Sequence, residues 1–243
     1  MRYTVFIVSH KVHPFNRRRP PTIAMKTFIN ILAIALFLLS GAPASANDLT
    51  PGAVAAKLQQ TYKRTATLTA DFRQLSSTRA QRRQRQATGT LILRKPGRIR
   101  WNYQQPDRQV LISNGATVSM YFEKNHQMMV MPSERYLNSD VTYAFFVGNG
   151  DISRDFETLA PTAAPFLAEG QYCIKLIPRQ THPQLSHLHL WINSTSWIVQ
   201  RIQLVDQLDS ITDLFFTNII INQPVADDTF LFTPPPDTEI IEQ

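Results

Sequence analysis

The stretch GTLILRKPGRIRWNYQQPDRQVLISNG, from Gly89 to Gly115, indicates a meander of short strands separated by Pro and Gly turns. Its middle strand alternates strictly between apolar and polar residues. The apolar face carries Ile99, Trp101 and Tyr103, and the polar face carries Arg98, Arg100 and Asn102. We expect the polar face to meet water, whereas the aromatic face meets either a packed core or a molecule that the protein carries.

A secretory signal peptide is predicted in residues 1–46. An apolar run at 28–39 precedes an A-x-A cleavage site, Ala44-Ser45-Ala46. The run is shorter than the roughly 20 residues of a membrane span. Met25 is an alternative start, in which case residues 1–24 are not native, and no lipid-accepting Cys lies near the cleavage site.

The charge of the remaining chain is nearly balanced. Of the 25 Lys and Arg residues, six lie in residues 1–46, which hold no acid, so residues 47–243 carry 19 basic and 18 acidic residues. The sequence therefore gives no support for a nucleic-acid partner. We expect residues 47–243 to form a single domain. Ten basic residues cluster between Arg73 and Arg108, and this stretch either steers the protein to an acidic surface or is merely solvated.

Strands dominate the predicted elements. A helix is predicted from Thr50-Pro51 to about Tyr62, followed by an alternating strand over residues 68–75. Residues 76–88 are basic and poor in apolar residues, which indicates a hairpin connection or frayed strand ends. Further strands are predicted at 90–93, 98–103, 109–113, 117–122, 127–131, 171–177, 188–192, 198–205 and 211–221.

Helical spacing interrupts the strands at residues 137–147, and a second short helix is predicted at 152–159. About ten antiparallel strands are too many for a flat sheet. We therefore predict a mainly β protein with helices (α+β class): a curved antiparallel sheet that forms an unclosed β-barrel, with helices over its mouth.

Signals of enzyme chemistry are sparse in the sequence. His187 and His189 share a strand face, but no Cys or carboxylate stands at metal-ligand spacing beside them, so a solvated face is favoured. No nucleophile elbow, zinc-protease motif or phosphate loop is present. We predict a protein that is not an enzyme and has no metal site and no cofactor.

Adaptable apolar side chains are present instead. Methionines cluster in the meander at Met120, Met128, Met129 and Met131, near Trp101, Tyr103, Tyr121 and Phe122. Met and aromatic side chains suit surfaces that open and close on varied guests. The same residues are also compatible with an ordinary packed core, and the pattern alone leaves both interpretations open.

Four segments of the chain, in this order, carry a family likeness. They are LTADFRQ (68–74), GTL (89–91) with KPGRIRWNY (95–103), QPD with SNG (105–107 and 113–115), and FLFTPP (230–235). With these segments the chain resembles the outer-membrane lipoprotein carrier protein family (LolA). The likeness covers nearly all of residues 47–243.

The resemblance implies an unclosed antiparallel barrel with a helical lid over an apolar cavity. It implies a monomeric periplasmic chaperone that accepts triacylated lipoproteins from an inner-membrane ABC transporter. The carrier shields their acyl chains and delivers them to an outer-membrane receptor. No cofactor, nucleic acid or covalent chemistry is implied.

The resemblance also assigns candidate site residues. We expect Trp101, Tyr103, Met120 and Phe122 to line the cavity, and Leu137, Val141, Phe145 and Phe146 to cover it as a lid. The family commonly has Arg before the Pro of the KPG segment, where it hydrogen-bonds the lid; here the position is Lys95, the candidate lid latch, which lacks the donor fork of Arg. Ile99 stands where some members carry an aromatic residue implicated in transporter docking.

Three other interpretations remain open at this point. The first is that the protein has the same fold but acts as a periplasmic lipid or glycolipid carrier, or as a lipoprotein-sensing regulator. A lipid hydrolase requires a Ser or His with a carboxylate partner at the cavity wall, and the sequence offers no such set. A structural envelope protein would have a fully packed interior.

Overall fold

The computed structural model describes residues 49–78, 81–139, 150–162 and 167–243, and Asp48–Gln243 form one compact unit. The described helices are α1 (Pro51–Arg64), α2 (Ser133–Ser139) and α3 (Ile152–Asp155). The described strands are β1 (Thr67–Thr78), β2 (Gln81–Arg94), β3 (Arg98–Gln105), β4 (Gln109–Asn114), β5 (Thr117–Phe122), β6 (Gln127–Pro132), β7 (Phe156–Leu159), β8 (Gln171–Pro178), β9 (His187–Asn193), β10 (Val199–Val205), β11 (Ile211–Ile221) and β12 (Glu239–Glu242).

The twelve strands form one sheet in the order β12-β6-β5-β4-β3-β2-β1-β11-β10-β9-β8-β7. Its two edges, β12 and β7, are not paired with each other, so the predicted unclosed, mainly β fold is confirmed. Two details differ from the prediction. The sheet has twelve strands instead of about ten, and β12 pairs with β6 in parallel, because this short strand adds to a free sheet edge through its backbone.

Helix α1 begins and ends close to the predicted residues. The Thr50 hydroxyl accepts a hydrogen bond from the Ala53 amide at 3.3 Å, and Pro51 occupies the first turn. The helix continues past the predicted end at Tyr62 to Arg64, where Thr65 turns extended. Its buried residues are Val54, Ala55, Leu58 and Tyr62. This apolar stripe packs α1 against β7 and β8.

Two predicted segments differ in the structure. The basic segment 76–88 lies largely within β1 and β2, with Ser76 paired to Arg85, because backbone pairing continues where the side chains of residues 84–86 are exposed. The helix predicted at 152–159 is wrong in its second half. It stops at Asp155, and Phe156–Leu159 form β7 because the edge of β8 offers that segment a strand partner.

The core lies on the face of the sheet that packs against α1, called here the inner face. Buried side chains from α1 and from strands on both halves of the sheet belong to one cluster, from Val118 of β5 to Ile192 of β9. One shared core across so many strands requires a curved sheet. Within the described residues, no helix combines the length and apolarity needed to cross a membrane.

The outer face of β2 and β3 corrects another expectation. The polar face of β3 does not simply meet water, because residues 225–232, called here the C-terminal segment, lie on it. The Arg100 guanidinium donates to the Thr229 carbonyl at 2.9 Å, and Arg94 and Arg98 both bind the Asp227 carboxylate. Part of the predicted basic stretch therefore holds the chain's own C-terminal segment.

Candidate functional site

The candidate site is built by strand register on the inner face of β1 to β6. The pairing aligns inner-face residues in three rows that cross the strands. The deep row is Leu68, Leu93, Ile99, Ser113, Val118 and Met131. The middle row is Ala70, Leu91, Trp101, Leu111, Met120 and Met129. The open row is Phe72, Gly89, Tyr103, Gln109, Phe122 and Gln127.

Burial decreases from the deep row to the open row. Every residue of the deep row is at most 9% exposed. In β3 to β6, by contrast, every residue of the middle and open rows is half-buried. The apolar members in those strands are called here the half-buried patch: Trp101, Tyr103, Leu111, Met120, Phe122 and Met129. Large apolar side chains that a deep core would cover completely are left partly accessible in this patch.

The four residues predicted to line a cavity, Trp101, Tyr103, Met120 and Phe122, all lie in the half-buried patch. The register places them on one face, as the alternation predicts. That they contact a guest stays a prediction. Leu111 and Met129 complete the patch and were not among the predicted site residues, although their parity with Trp101 and Met120 places them on the same face.

An aromatic cluster borders the half-buried patch on the side of β1. The ring of Phe72 lies edge-on to the rings of Trp101 and Tyr103, with centroid distances of 5.3 and 5.0 Å. The ring of Trp101 also lies edge-on to that of Phe216, with a centroid distance of 6.4 Å. The Tyr103 hydroxyl donates to Gln74 Oε1 at 2.9 Å. The buried indole N–H of Trp101 has no hydrogen-bond partner among the described residues.

Lys95 connects the β2–β3 turn to helix α1. Its ammonium group donates to the main-chain carbonyl of Tyr62 in the last turn of α1, and its amide donates to Ala66 O at 2.9 Å. Lys95 is half-buried, and burial lowers the pKa of its side chain. The described partner of this side chain is therefore α1; its predicted role as a lid latch stays a prediction.

The predicted lid falls mostly outside the described residues. Leu137 lies in α2, but its side chain is not described, and Val141, Phe145 and Phe146 lie outside the described ranges. The start of α2, just before the predicted lid residues, is described. Its Ser133 hydroxyl lies 3.3 Å from that of Ser113 in the deep row, which ties the helix to the sheet.

Two clefts lie farther along the sheet, beside the part of β11 that pairs with β1 but not with β10. One has a volume of about 530 Å³ and the other about 420 Å³, within the usual range of roughly 300–1,000 Å³ for ligand pockets. They adjoin, since Gln200, Phe216 and Thr217 line both. Sequence reasoning missed these residues, because the clefts depend on strand irregularities that no local pattern encodes.

Metal and thiol chemistry find little support in the described part of the chain. The rings of His187 and His189 lie 5.3 Å apart. Burial lowers the pKa of both, and the nearby Lys175 lowers it further, so a bound metal cation would meet a positive neighbour. Among the described residues no three His, Cys, Asp or Glu side chains group as a metal site. Burial raises the pKa of the Cys173 thiol to about 11, which keeps it protonated.

Comparison with known proteins gives consistent matches. The sequence model described as outer membrane lipoprotein carrier protein LolA matches residues 63–233. The chain is 27% identical over 220 residues to an outer-membrane lipoprotein carrier protein of Pseudomonas syringae pv. syringae, covering 90% of this chain and 100% of the relative. It is 29% identical to the protein of that name from Azotobacter vinelandii, covering 88% and 97%.

Solved structures that resemble the chain share little sequence with it. One is a LolA superfamily protein from Nitrosomonas europaea, with a TM-score of 0.42 and 8% identity over 76% of this chain and 98% of that chain. Another is an uncharacterized conserved protein from Thermus thermophilus, with a TM-score of 0.49 and 11% identity over 78% and 99%.

Proposed function

The chain belongs to the outer-membrane lipoprotein carrier family, LolA, and from this membership we propose that it carries acylated lipoproteins with their acyl chains against the half-buried patch. The observation that supports this proposal is the register of β3 to β6, which aligns Trp101, Leu111, Met120 and Met129 in one row and leaves them only half-buried. Such a face offers apolar surface to a guest and keeps the deep row as a stable floor.

The physical chemistry of acyl chains fits a carrier of this kind. Each buried CH₂ group contributes about 0.8 kcal/mol, so an acyl chain crosses water only when it is shielded. Met and aromatic side chains rearrange at low cost around chains of different length. For loading and release to remain reversible, the empty and loaded states must differ by only a few kcal/mol. A partly accessible apolar face meets that condition better than a closed core does.

The finer features of the proposal follow the family. Residues 1–46 are a signal peptide, and the protein works as a monomer in the periplasm. Its cargo is triacylated, it receives that cargo from an inner-membrane ABC transporter, and it delivers it to an outer-membrane receptor. By likeness to the family, we propose that Leu137, Val141, Phe145 and Phe146 act as a lid over the patch and that Lys95 acts as its latch.

The first experiment is mass spectrometry of the protein spanning Asn47–Gln243, purified natively from its own periplasm. We expect acylated lipoproteins to copurify. Phospholipid or glycolipid alone would replace the proposal with a lipid carrier on the same fold, and a protein that is empty and rejects added lipoprotein would refute carriage.

A matched pair of variants locates the acyl chains. Met120→Gln keeps the length of the side chain but places an amide in the half-buried patch, whereas Ser119→Gln alters the opposite face of the same strand. We expect Met120→Gln to weaken binding of a synthetic tripalmitoylated peptide about tenfold, since an unpaired buried amide costs about 1–3 kcal/mol. Ser119→Gln should bind as the parent does. Equal effects of the two variants would place the chains elsewhere.

A further inference from the structure

Strands β10 and β11 separate before β11 ends, which leaves a gap within the sheet. Their pairing covers only Arg201–Val205 against Ile211–Phe215. Strand β11 continues beyond this region, paired with β1 as far as Ile221. Residues 216–221 therefore have no strand partner on the β10 side among the described residues. The gap between residues 199–200 of β10 and 216–221 of β11 is called here the seam.

Two β-bulges, one in each flanking strand, border the seam. Strand β10 carries one extra residue at Gln200, between the pairs Val199 with Ile192 and Arg201 with Trp191. Strand β11 carries one extra residue between Thr217 and Ile220, where Asn218 adopts a positive φ of 51°. Bulges bend a strand and re-aim its side chains, and they recur beside functional sites. The seam is thus built into the backbone.

Both clefts of the seam combine apolar and polar side chains. The cleft of about 420 Å³ is lined by Ile198, Ile219 and Ile221 at its apolar part. The adjoining cleft of about 530 Å³ adds Arg73 and Gln171, and the Gln171 amide donates to Gln200 Oε1 at 2.6 Å. A guest in the seam therefore meets aliphatic and aromatic side chains as well as amides and a guanidinium group.

Arg73 is the cation of the seam without a described acidic partner. Its guanidinium group lies over the ring of Phe215, 4.3 Å from the centroid. The guanidinium group of Arg201 also lies over that ring, 4.9 Å from the centroid, but it forms an ion pair with Asp213 at 2.6 Å. Within the described residues, no carboxylate makes an ion pair with Arg73. Held in place by the ring and exposed to solvent, it suits a carboxylate that arrives with a guest.

We propose that the seam binds an extended peptide that carries an acidic residue, namely the polypeptide that directly follows the acylated residue of the cargo. The proposal rests on the proposed function. A strand edge without a partner recognises a peptide backbone through main-chain hydrogen bonds. Phe216 links the two regions, since it contacts Trp101 of the half-buried patch and lines both clefts of the seam. A chain that leaves the patch beside Phe216 therefore reaches the seam directly.

The experiment uses a tripalmitoylated peptide with one Asp near its acylated end, the same lipopeptide with Asn, and the Asp peptide without acyl chains. Benzoylphenylalanine replaces Thr217 in the seam or, as a control, Leu208, which is 78% exposed at the far β10–β11 turn. We expect photocrosslinks from position 217 to the peptide part of the lipopeptide, and none from position 208.

The acidic preference is tested with Arg73→Ala against Arg108→Ala, which removes the same charge at an exposed turn on the other half of the sheet. The parent protein should bind the Asp lipopeptide roughly fivefold more tightly than the Asn lipopeptide, the size expected of an accessible charge-assisted contact. Arg73→Ala should abolish this preference, and Arg108→Ala should retain it.

Several results would overturn the proposal. Crosslinks from position 217 to the palmitoyl chains would make the seam a lipid site. Bound lipopeptide without crosslinks at 217, or equal effects of the two Arg variants, would refute the peptide site while carriage stands. Failure of the parent to bind any lipopeptide would refute carriage itself. In that case, crosslinking of the unacylated peptide at high concentration still tests whether the seam binds peptide. No crosslinks from position 217 would then count against the proposal.

Discussion

The rings of Phe72 and Tyr103 contact each other across an intervening strand, with centroids 5.0 Å apart and planes at 77°. Gly89 lies between them, paired with Phe72 on one side and Tyr103 on the other. A Cβ atom at this position would lie 1.8 Å from the Asn102 carbonyl oxygen and 2.8 Å from Phe72 Cε1. The close packing of the aromatic cluster beside the half-buried patch therefore requires glycine at position 89.

Gly89→Ala should destabilise the protein by about 3 kcal/mol, because the carbonyl oxygen is backbone and cannot move aside. Gly52→Ala is the control, since a Cβ there meets no atom within 4 Å and Ala favours helix α1 by about 0.5 kcal/mol. Thermal unfolding of both variants gives the comparison. Similar midpoints for the two would contradict the close approach at Gly89.

Lys95→Met should lower the free energy of unfolding by about 1.5 kcal/mol, because it removes a hydrogen bond from a charged donor to the Tyr62 carbonyl. It should also speed hydrogen exchange in the last turn of α1. Lys95→Arg keeps a charged donor, so its free energy of unfolding should lie between those of Lys95→Met and the parent. Lys124→Met, at a side chain that is 74% exposed, should have almost no effect. If Lys95→Met leaves exchange in α1 unchanged, Lys95 does not secure the helix.

Stability should decrease as the pH falls below 6.5, owing to His187 and His189. Burial lowers the pKa of both imidazoles from 6.5 in the folded protein. In this window the unfolded chain binds more protons than the folded chain, so lower pH favours unfolding. A His187→Gln, His189→Gln double variant should show a weaker pH dependence of the urea midpoint between about pH 7.5 and 5.5. His126→Asn, at an exposed turn, is the control and should show the same pH dependence of the urea midpoint as the parent. If the double variant also shows the parent's pH dependence, His187 and His189 do not cause it.

Phe230→Ala should cost about 3 kcal/mol of stability, because its ring is 2% exposed and anchors the C-terminal segment. Its neighbour Leu231 is 66% exposed, and Leu231→Ala should stay within about 0.5 kcal/mol of the parent. Chemical denaturation measures both changes. A small effect of Phe230→Ala would mean that the C-terminal segment lies on the sheet without stabilising it.

Local sequence predicts the part of the site that depends on alternation and tight turns. Trp101 and Tyr103 alternate with polar neighbours, and the turn at Asn114–Gly115 fixes the register of β4 against β5. There the Asn114 side chain accepts from the amides of Ala116 and Thr117, both at 2.9 Å, and Gly115 adopts a φ of 100°. With that register set, Met120 is placed beside Leu111 and Trp101.

Contacts between distant parts of the chain were not predictable in this way. Arg100 and Thr229 are 129 residues apart, and nothing in the alternation of β3 indicates that a later segment will cover its polar face. The parallel pairing of β12 and the two bulges at Gln200 and Asn218 likewise depend on which strands pair and in which register, and the local sequence does not specify this. The helix predicted through Leu159 was wrong for the same reason. Main-chain hydrogen bonds to the edge of β8 make Phe156–Leu159 a strand despite their helical spacing of apolar residues.

The parallel pairing of β12 with β6 has a consequence for biosynthesis. During synthesis, β6 emerges more than one hundred residues before Glu239–Glu242, so its outer edge has no strand partner until β12 has been made. Bare edges of apolar strands recruit other chains, and β6 carries Met128, Met129 and Met131. A nascent or truncated chain is therefore prone to self-association, and its protection depends on whatever holds it unfolded until the final strand docks.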